Sequence, residues 1–168
     1  MLQITKTTGN AEWYTPVIWL DMVREVLGAI DLDPASCELA NRRVKATRYF
    51  DRASDGLKQE WAGRVFLNPP YARYTIDKFV RKLLYHWHSS DIESYIILAN
   101  AAVDTQWAQS LMMYSDRICF VRGRISFDKP GGSTIGKPPL GQMFCYAGEN
   151  ADGFDRVFAQ AGIIAGTD

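Results

Sequence analysis

The sequence has no net charge, few histidines and cysteines, and no long apolar run, and each absence narrows what the chain can do. Its 19 basic and 19 acidic residues cancel, so nucleic acid would have to bind a local basic patch rather than an overall positive field. Two histidines and three scattered cysteines form neither a zinc pattern nor a disulfide framework, which favours a reducing compartment. No apolar segment approaches the ~20 residues of a membrane span, and residues 1–13 lack the apolar core of a signal peptide. We expect a soluble, cytoplasmic protein without a metal or a membrane contact.

The remaining composition is that of a globular protein. Of the 168 residues, 47% are hydrophobic and 23% are charged, which suits one domain spanning residues 1–168. Apolar spacing predicts helices at 16–28, 34–47, 74–88, 103–115 and 151–162, and strands at 29–33, 64–68, 94–100, 117–123 and 142–148. This alternation favours an α/β fold with a mostly parallel sheet and helices on both faces.

Polar residues follow three of the predicted strands. Asp31 and Asp33 end the first, Asn68-Pro69-Pro70-Tyr71 follows the second, and Asn100 ends the third. In open α/β sheets ligands bind outside the carboxyl ends of the strands, so we expect the fold to gather these residues at one edge. The two prolines stop strand pairing and leave a rigid elbow, which either serves as a plain turn or holds a flat, polar ligand.

The elbow carries groups suited to the methylation of an amino group. The amino nitrogen of adenine is a poor nucleophile because its lone pair is delocalised into the ring. The side-chain oxygen of Asn68 and the carbonyl of Pro69 could accept its two hydrogens, and the ring of Tyr71 could stack on the base. Such fixed dipoles would stabilise the transition state without a covalent intermediate.

These segments resemble a known family. FLNPPY resembles motif IV of the amino-methyltransferases, [DNS]-P-P-[YFW], and WYTPVIWLDMV resembles their T-P segment. Together, EWYTP, IDLDPAS, YFDRASDGL, W-x-G-x-VFLNPPY and RGRISF resemble the small phage-type, Dam-like DNA N6-adenine methyltransferases. The resemblance implies a Rossmann-like fold, S-adenosylmethionine (SAM) as cofactor, and methylation of an adenine flipped out of double-stranded DNA. It also implies that Asn68, Pro69, Pro70 and Tyr71 form the catalytic site.

The resemblance further implies where the cofactor binds. The T-P segment would line the methionine pocket, and the acid of SDGL would contact the cofactor's adenine. The usual F-x-G-x-G loop is absent, and IDLDPAS stands either in its place or for the following strand, whose acid binds the ribose. The candidate cofactor residues are Trp13, Tyr14, Thr15, Pro16, Asp31, Asp33 and Asp55. Helix capping by Asp33, core packing of Trp13 and Tyr14, and a turn at Gly56 are the structural alternatives.

Basic and aromatic residues around these loops are the expected DNA contacts, since base flipping requires groups that hold the phosphates. They are Arg73, Tyr74, Arg122, Arg124, Lys129 and Lys137. The last two belong to a Gly/Pro-rich segment at 128–141, which is too long for a simple turn and which we expect to order on DNA. The denser basic run at 42–48 contacts the DNA backbone or forms a solvated helix face.

Two other functions remain compatible with the sequence. Enzymes that methylate glutamine in proteins or guanine in RNA also carry NPPY, because the amino-group chemistry is the same. The absent glycine loop would suit a non-catalytic phage DNA-binding protein.

Overall fold

The computed structural model describes residues 13–71, 75–129 and 138–166. The helices in these ranges are α1 (Val17–Leu27), α2 (Glu38–Val44), α3 (Thr75–His88), α4 (Gln106–Met113) and α5 (Ala151–Phe158). The strands are β1 (Leu32–Asp33), β2 (Arg48–Tyr49), β3 (Gly63–Leu67), β4 (Ile92–Asn100), β5 (Arg117–Val121), β6 (Gln142–Ala147) and β7 (Gly162–Gly166). A short 3-10 helix covers Gly56–Lys58. Within the described ranges, no helix is long and apolar enough to cross a bilayer.

All of these strands join one sheet in the order β2-β1-β3-β4-β6-β5-β7. Strands β1 to β4 pair in parallel, whereas β6 runs antiparallel to β4 and β5, and β7 runs antiparallel to β5. Strands β1 to β5 therefore point one way and β6 and β7 the other. The predicted α/β fold is confirmed. The sheet is mixed, because five of the seven described strands point one way while three of their six pairings are antiparallel. The reversed direction of β6 brings its first residue beside the last residue of β4.

Helices cover both faces of the sheet, as the alternation predicts. On β4, Tyr95 and Ile97 pack into the core beneath α3 and α4, whereas Ile96 and Leu98 pack into the core beneath α1 and α5. Such alternation follows from the two-residue period of a strand. We call the second side the α1 face.

Helix α2 begins later than predicted. The pattern places its start near Pro34, but the helix starts at Glu38 and is capped by the Cys37 thiol. The residues between form a turn, because the Asp33 carboxylate accepts the backbone N–H of Ala35 at 3.2 Å. This Asx-type contact competes with helix formation directly after β1.

The sequence pattern misses two short strands, β2 and β7. Strand β2 has only two residues inside a polar segment, where no alternation is readable. Strand β7 pairs with the edge of β5, and a Cβ on Gly162 would lie 1.9 Å from the Phe120 carbonyl oxygen. Its pairing thus depends on a close backbone approach that only glycine permits.

Candidate active site

The strand order reverses between β1 and β3, which creates a crevice at the carboxyl edge of the sheet. The chain leaves β1 through α2 to reach β2 on one side, whereas β3 and β4 lie on the other. Ligands of open α/β sheets bind at such a switch point. The polar residues at this edge are Asp33, Asn68, Asn100 and Gln142.

The amide of Asn68 is held in one orientation. Its Nδ2 donates to the Trp13 carbonyl at 3.3 Å and to the Thr15 hydroxyl at 3.2 Å. Because a carbonyl can only accept, the NH2 group must face Trp13, and Oδ1 must point the other way. Oδ1 accepts no hydrogen bond from any residue in the described ranges. The elbow therefore presents a fixed acceptor.

The segment at residues 13–16 is itself anchored, so it can hold Asn68. The backbone of Tyr14 pairs with Asp128 through hydrogen bonds of 2.9 and 3.0 Å, and the Trp13 ring packs edge-on against Phe127. Thr15 is buried and its side chain does not cap α1, whose N-cap residue is Pro16. The predicted methionine-pocket segment thus lies against the elbow, and its aromatic residues also pack on the core.

The rest of the elbow forms a rigid platform. Pro69 is buried, whereas Pro70 is exposed. The Tyr71 hydroxyl donates to the Leu98 carbonyl at 3.1 Å, and its burial there raises the pKa of Tyr71. The residue as a whole is 38% exposed. A ring fixed at its hydroxyl end and open to solvent elsewhere can stack on a planar ligand at low entropic cost.

Asp33 is a buried carboxyl group with no ion pair among the described residues. It is 3% exposed, and this burial raises its pKa to about 7, although the backbone N–H of Ala35 and the Ser36 hydroxyl oppose the shift. A buried carboxylate is costly unless a cation accompanies it. Asp33 ends β1 beside the switch point, so it is a candidate to bind a positively charged ligand group.

Asp31 differs from Asp33 in having a partner. The Arg64 side chain binds both of its oxygens at 2.8 and 2.9 Å, and the Arg64 backbone N–H adds a third bond at 2.8 Å. These hydrogen bonds lower the pKa of Asp31. The pair joins the start of β1 to the start of β3, away from the carboxyl edge. The structure does not bring Asp31 together with Asn68.

Asp55 lies beside the turn that follows Asp33. Its carboxylate caps the 3-10 helix by accepting the Leu57 N–H at 3.2 Å. The next residue, Gly56, packs so tightly that a Cβ there would lie 2.0 Å from the Pro34 carbonyl oxygen. The sequence predicts a turn at Gly56. The structure shows that this glycine also lets the segment after Asp55 contact the turn that follows Asp33.

Two residues at this edge, Asp51 and Gln142, were not predicted from the sequence. In nucleotide-binding folds an acid about 20 residues after the first strand often binds a ribose, and Asp51 stands at that spacing from Asp33. This spacing could have identified it. Gln142 is 1% exposed and donates from Nε2 to the Asn100 Oδ1 at 3.1 Å. No sequence pattern predicts that Gln142 lies at this edge, because the direction of β6 is set by its pairing with β4 and β5.

The predicted DNA contacts are placed unevenly. Arg122 and Lys129 are exposed, and Arg122 follows β5 at the same edge as Asn68. Arg124 donates instead to the carbonyls of Pro138 and Pro139, where it closes the end of the Gly/Pro-rich segment. The other predicted contacts lie outside the described residues, and they are Arg73, Tyr74 and Lys137.

Comparison with known proteins identifies a family whose model matches most of the chain. The model of the family described as DNA N-6-adenine-methyltransferase (Dam) matches residues 3–139, which take in every element from α1 to β5 and the whole elbow. No curated protein matches the chain. Among solved structures, a candidate RNA methyltransferase from Pyrococcus horikoshii is similar over 79% of each chain, with a TM-score of 0.45 and 9% sequence identity.

Proposed function

The chain belongs to the Dam family of DNA N6-adenine methyltransferases, and we propose from this premise that it methylates the exocyclic N6 amino group of adenine in double-stranded DNA at the elbow Asn68–Tyr71. The fixed orientation of Asn68 carries the proposal. Two acceptors of the 13–16 segment bind its NH2 group, so its oxygen is directed outward before any substrate arrives. A base flipped from the duplex would bring its amino group to that oxygen.

The elbow would activate the amino group without a general base. Asn68 Oδ1 and the Pro69 carbonyl accept the two N6 hydrogens, which draws the nitrogen lone pair out of conjugation with the ring. Because both acceptors are held in place beforehand, they stabilise the positive charge that develops on nitrogen. The Tyr71 ring stacks on the base, and the N6 proton leaves to solvent once the nitrogen is charged. SAM, when bound, supplies an electrophilic methyl group on its sulfonium.

The described residues fit SAM as the cofactor. Asp33 offers a buried carboxylate without a cation, which suits the ammonium group of SAM. The 13–16 segment would line its methionine part, Asp51 would accept from the ribose hydroxyls, and Asp55 would accept from its adenine amino group. We leave Asp31 out of this set, because Arg64 already binds both of its oxygens.

The DNA would lie across the carboxyl edge. The reaction would take place in the cytoplasm, which is that of the bacterial host if a phage or prophage encodes the chain. The side chains of Arg122 and Lys129 are exposed and would hold phosphates. Arg73, Tyr74 and Lys137 stay predictions, and Arg124 would act by holding the Gly/Pro-rich segment. One methyltransferase domain, residues 1–168, would carry all of these groups.

A label-transfer assay tests the proposal. Purified protein is incubated with methyl-labelled SAM and, separately, with duplex DNA, total RNA or cell protein, and the DNA is digested to nucleosides. We expect label in N6-methyladenine of DNA. Asn68→Ala should abolish the transfer while it keeps the fold and SAM binding, whereas Gln109→Ala, which removes an exposed amide on α4, should behave as the wild type.

Each contrary outcome has a distinct meaning. Near-normal turnover by Asn68→Ala would contradict the elbow mechanism. Label in RNA or in protein glutamine would keep that mechanism and replace the substrate. Absence of both label and SAM binding would contradict the enzyme and favour a non-catalytic DNA-binding protein.

A further inference from the structure

Asn100 stands beside the elbow on the same face of the sheet. Leu67 of β3 is level with Ile97 of β4, so Asn68 lies one residue and Asn100 three residues beyond that level. On β4, Leu98 points to the α1 face, and the two-residue period of the strand directs Asn100 to the same side. Neighbouring strands are about 4.8 Å apart and rise about 3.3 Å per residue, so the two asparagines lie about 8 Å apart at the carboxyl edge.

The amide of Asn100 is oriented by a chain of two amides. Gln142 accepts the Ile125 backbone N–H at Oε1 (3.4 Å) and donates to the Leu140 carbonyl from Nε2 (2.8 Å). These backbone groups can only donate and only accept, respectively, so they fix which end of Gln142 is nitrogen. That nitrogen also donates to the Asn100 Oδ1 at 3.1 Å. The NH2 group of Asn100 must therefore lie on the side of the amide that faces away from Gln142.

This NH2 group is an unused donor in the described part of the chain. Its atoms donate to none of the residues at 13–71, 75–129 and 138–166, and Asn100 is only partly buried. Gln142, by contrast, is 1% exposed and has all its contacts within the protein. Buried side chains that hold a binding residue in one orientation are a common feature of functional sites. The hydrogen bond from Gln142 therefore supports Asn100 as a ligand contact.

We propose that Asn100 recognises the target base by donating a hydrogen bond from Nδ2 to a ring nitrogen next to the amino group of the flipped adenine. The inference rests on the proposed function and assigns the residue that reads the base. Adenine places an acceptor nitrogen on each side of its amino group, N1 on the Watson–Crick edge and N7 on the Hoogsteen edge. Asn68 would engage the amino group while Asn100 engages one of these nitrogens.

The pairing of the two asparagines selects an amino group that has an acceptor nitrogen on the side facing Asn100. Asn68 requires hydrogens on the exocyclic group, and Asn100 requires an acceptor beside it. Guanine has an N–H on one side of its amino group and cytosine a C–H, so each meets this requirement on one side only, whereas adenine meets it on both. A site built to donate a hydrogen bond rejects a base that cannot accept it, because the buried donor is left unpaired.

Asn100→Asp is the sharpest variant, because a carboxylate can still accept the hydrogen bond from Gln142 but cannot donate to the base. The target site is first mapped by the label-transfer assay. Synthetic duplexes then carry adenine, 7-deazaadenine or 1-deazaadenine at the target, and single-turnover methylation is measured with saturating enzyme. The wild type should lose about tenfold or more on the analogue that lacks the contacted nitrogen.

The variant supplies the decisive comparison. Asn100→Asp should lose about tenfold or more on adenine and show no further loss on that same analogue, since the contact is already absent. The other analogue should slow both proteins by the same factor. The analogue that slows only the wild type therefore shows whether Asn100 contacts N1 or N7. SAM affinity and the thermal midpoint should stay at wild-type values, and Asn100→Ala should reproduce the loss on adenine.

Three results would overturn the assignment. Asn100→Asp could turn over adenine within about twofold of the wild type, both analogues could slow both proteins equally, or the variant could lose SAM affinity. A failure of the proposed function itself is recognised separately, because the wild type would then place no label on adenine.

Discussion

Replacement of Asp33 by asparagine should make the protein more stable and its cofactor binding weaker. The amide keeps the shape of the side chain and can still accept the Ala35 N–H that Asp33 accepts at 3.2 Å. Burial raises the pKa of Asp33 from 3.8 to about 7, so the folded protein holds a proton that the unfolded chain releases. Each pH unit of that interval costs about 1.4 kcal/mol, and the ionised carboxylate thus destabilises the fold by about 4 kcal/mol above pH 7.

The sign of the pH dependence follows from the raised pKa. Between about pH 4 and pH 7 the folded state binds more protons than the unfolded state, so the free energy of unfolding of the wild type should fall as pH rises and then level off. Asp33→Asn lacks this penalty. Urea unfolding should show the variant to be more stable by up to about 4 kcal/mol at pH 8 and little changed at pH 4.

Cofactor affinity should move in the opposite direction. The ammonium group of SAM needs the ionised carboxylate, so the wild-type dissociation constant should rise about tenfold for each pH unit below 7. Asp33→Asn should bind SAM about 10- to 100-fold more weakly at pH 8, without that pH dependence. Calorimetric titration with SAM between pH 5.5 and 8.5 measures both effects.

Asp31→Asn is the matched control, because it changes the same atoms two residues away. Arg64 lowers the pKa of Asp31, so this variant should lose stability at neutral pH rather than gain it. Equal unfolding free energies of wild type and Asp33→Asn at pH 8, together with a wild-type SAM affinity that is flat with pH, would refute the reasoning.

Two further variants test how the crevice is held together. Thr15→Val removes one of the acceptors that orient Asn68 and should lower kcat about tenfold, whereas Thr15→Ser should retain the wild-type kcat; equal rates for both would contradict the positioning role. Gly56→Ala should destabilise the fold by about 1–3 kcal/mol, because its Cβ would meet the Pro34 carbonyl, and should weaken SAM binding. Gly141→Ala, where a Cβ would meet nothing within 4 Å, is the control, and thermal unfolding that ranks the two alike would reject the packing argument.

The parts of the site that the sequence predicts are those with local causes. Pro69 and Pro70 end a strand through their own ring chemistry, so the elbow and its place at a strand end are readable from the chain. Asp31 and Asp33 look alike in sequence, because what separates them is Arg64, which lies 33 positions from Asp31. Gln142 stays hidden for a similar reason, since its direction depends on how β6 pairs with β4.

The ends of helices and strands are likewise predicted where local sequence sets them and missed where tertiary contacts do. Helix α3 has a strong amphipathic pattern, and its observed span, Thr75–His88, ends at the predicted residue. Helix α2 starts later than predicted because the buried carboxylate of Asp33 accepts the Ala35 N–H and stabilises a turn there. Strand β7 exists only through its pairing with the edge of β5, which no local pattern records.

The reversed direction of β6 has a consequence for how this scaffold can diversify. The chain between β5 and β6 is secured at both ends, by the pairing of Asp128 with Tyr14 and by the contacts of Gln142. Closing a longer loop between two fixed ends costs only about 0.6 kcal/mol for each doubling of its length. Insertions and substitutions between residues 129 and 141 should therefore be tolerated with little change at Asn68. This interval, which we propose to contact DNA, is thus a suitable place for a library in a directed-evolution experiment on target sequence.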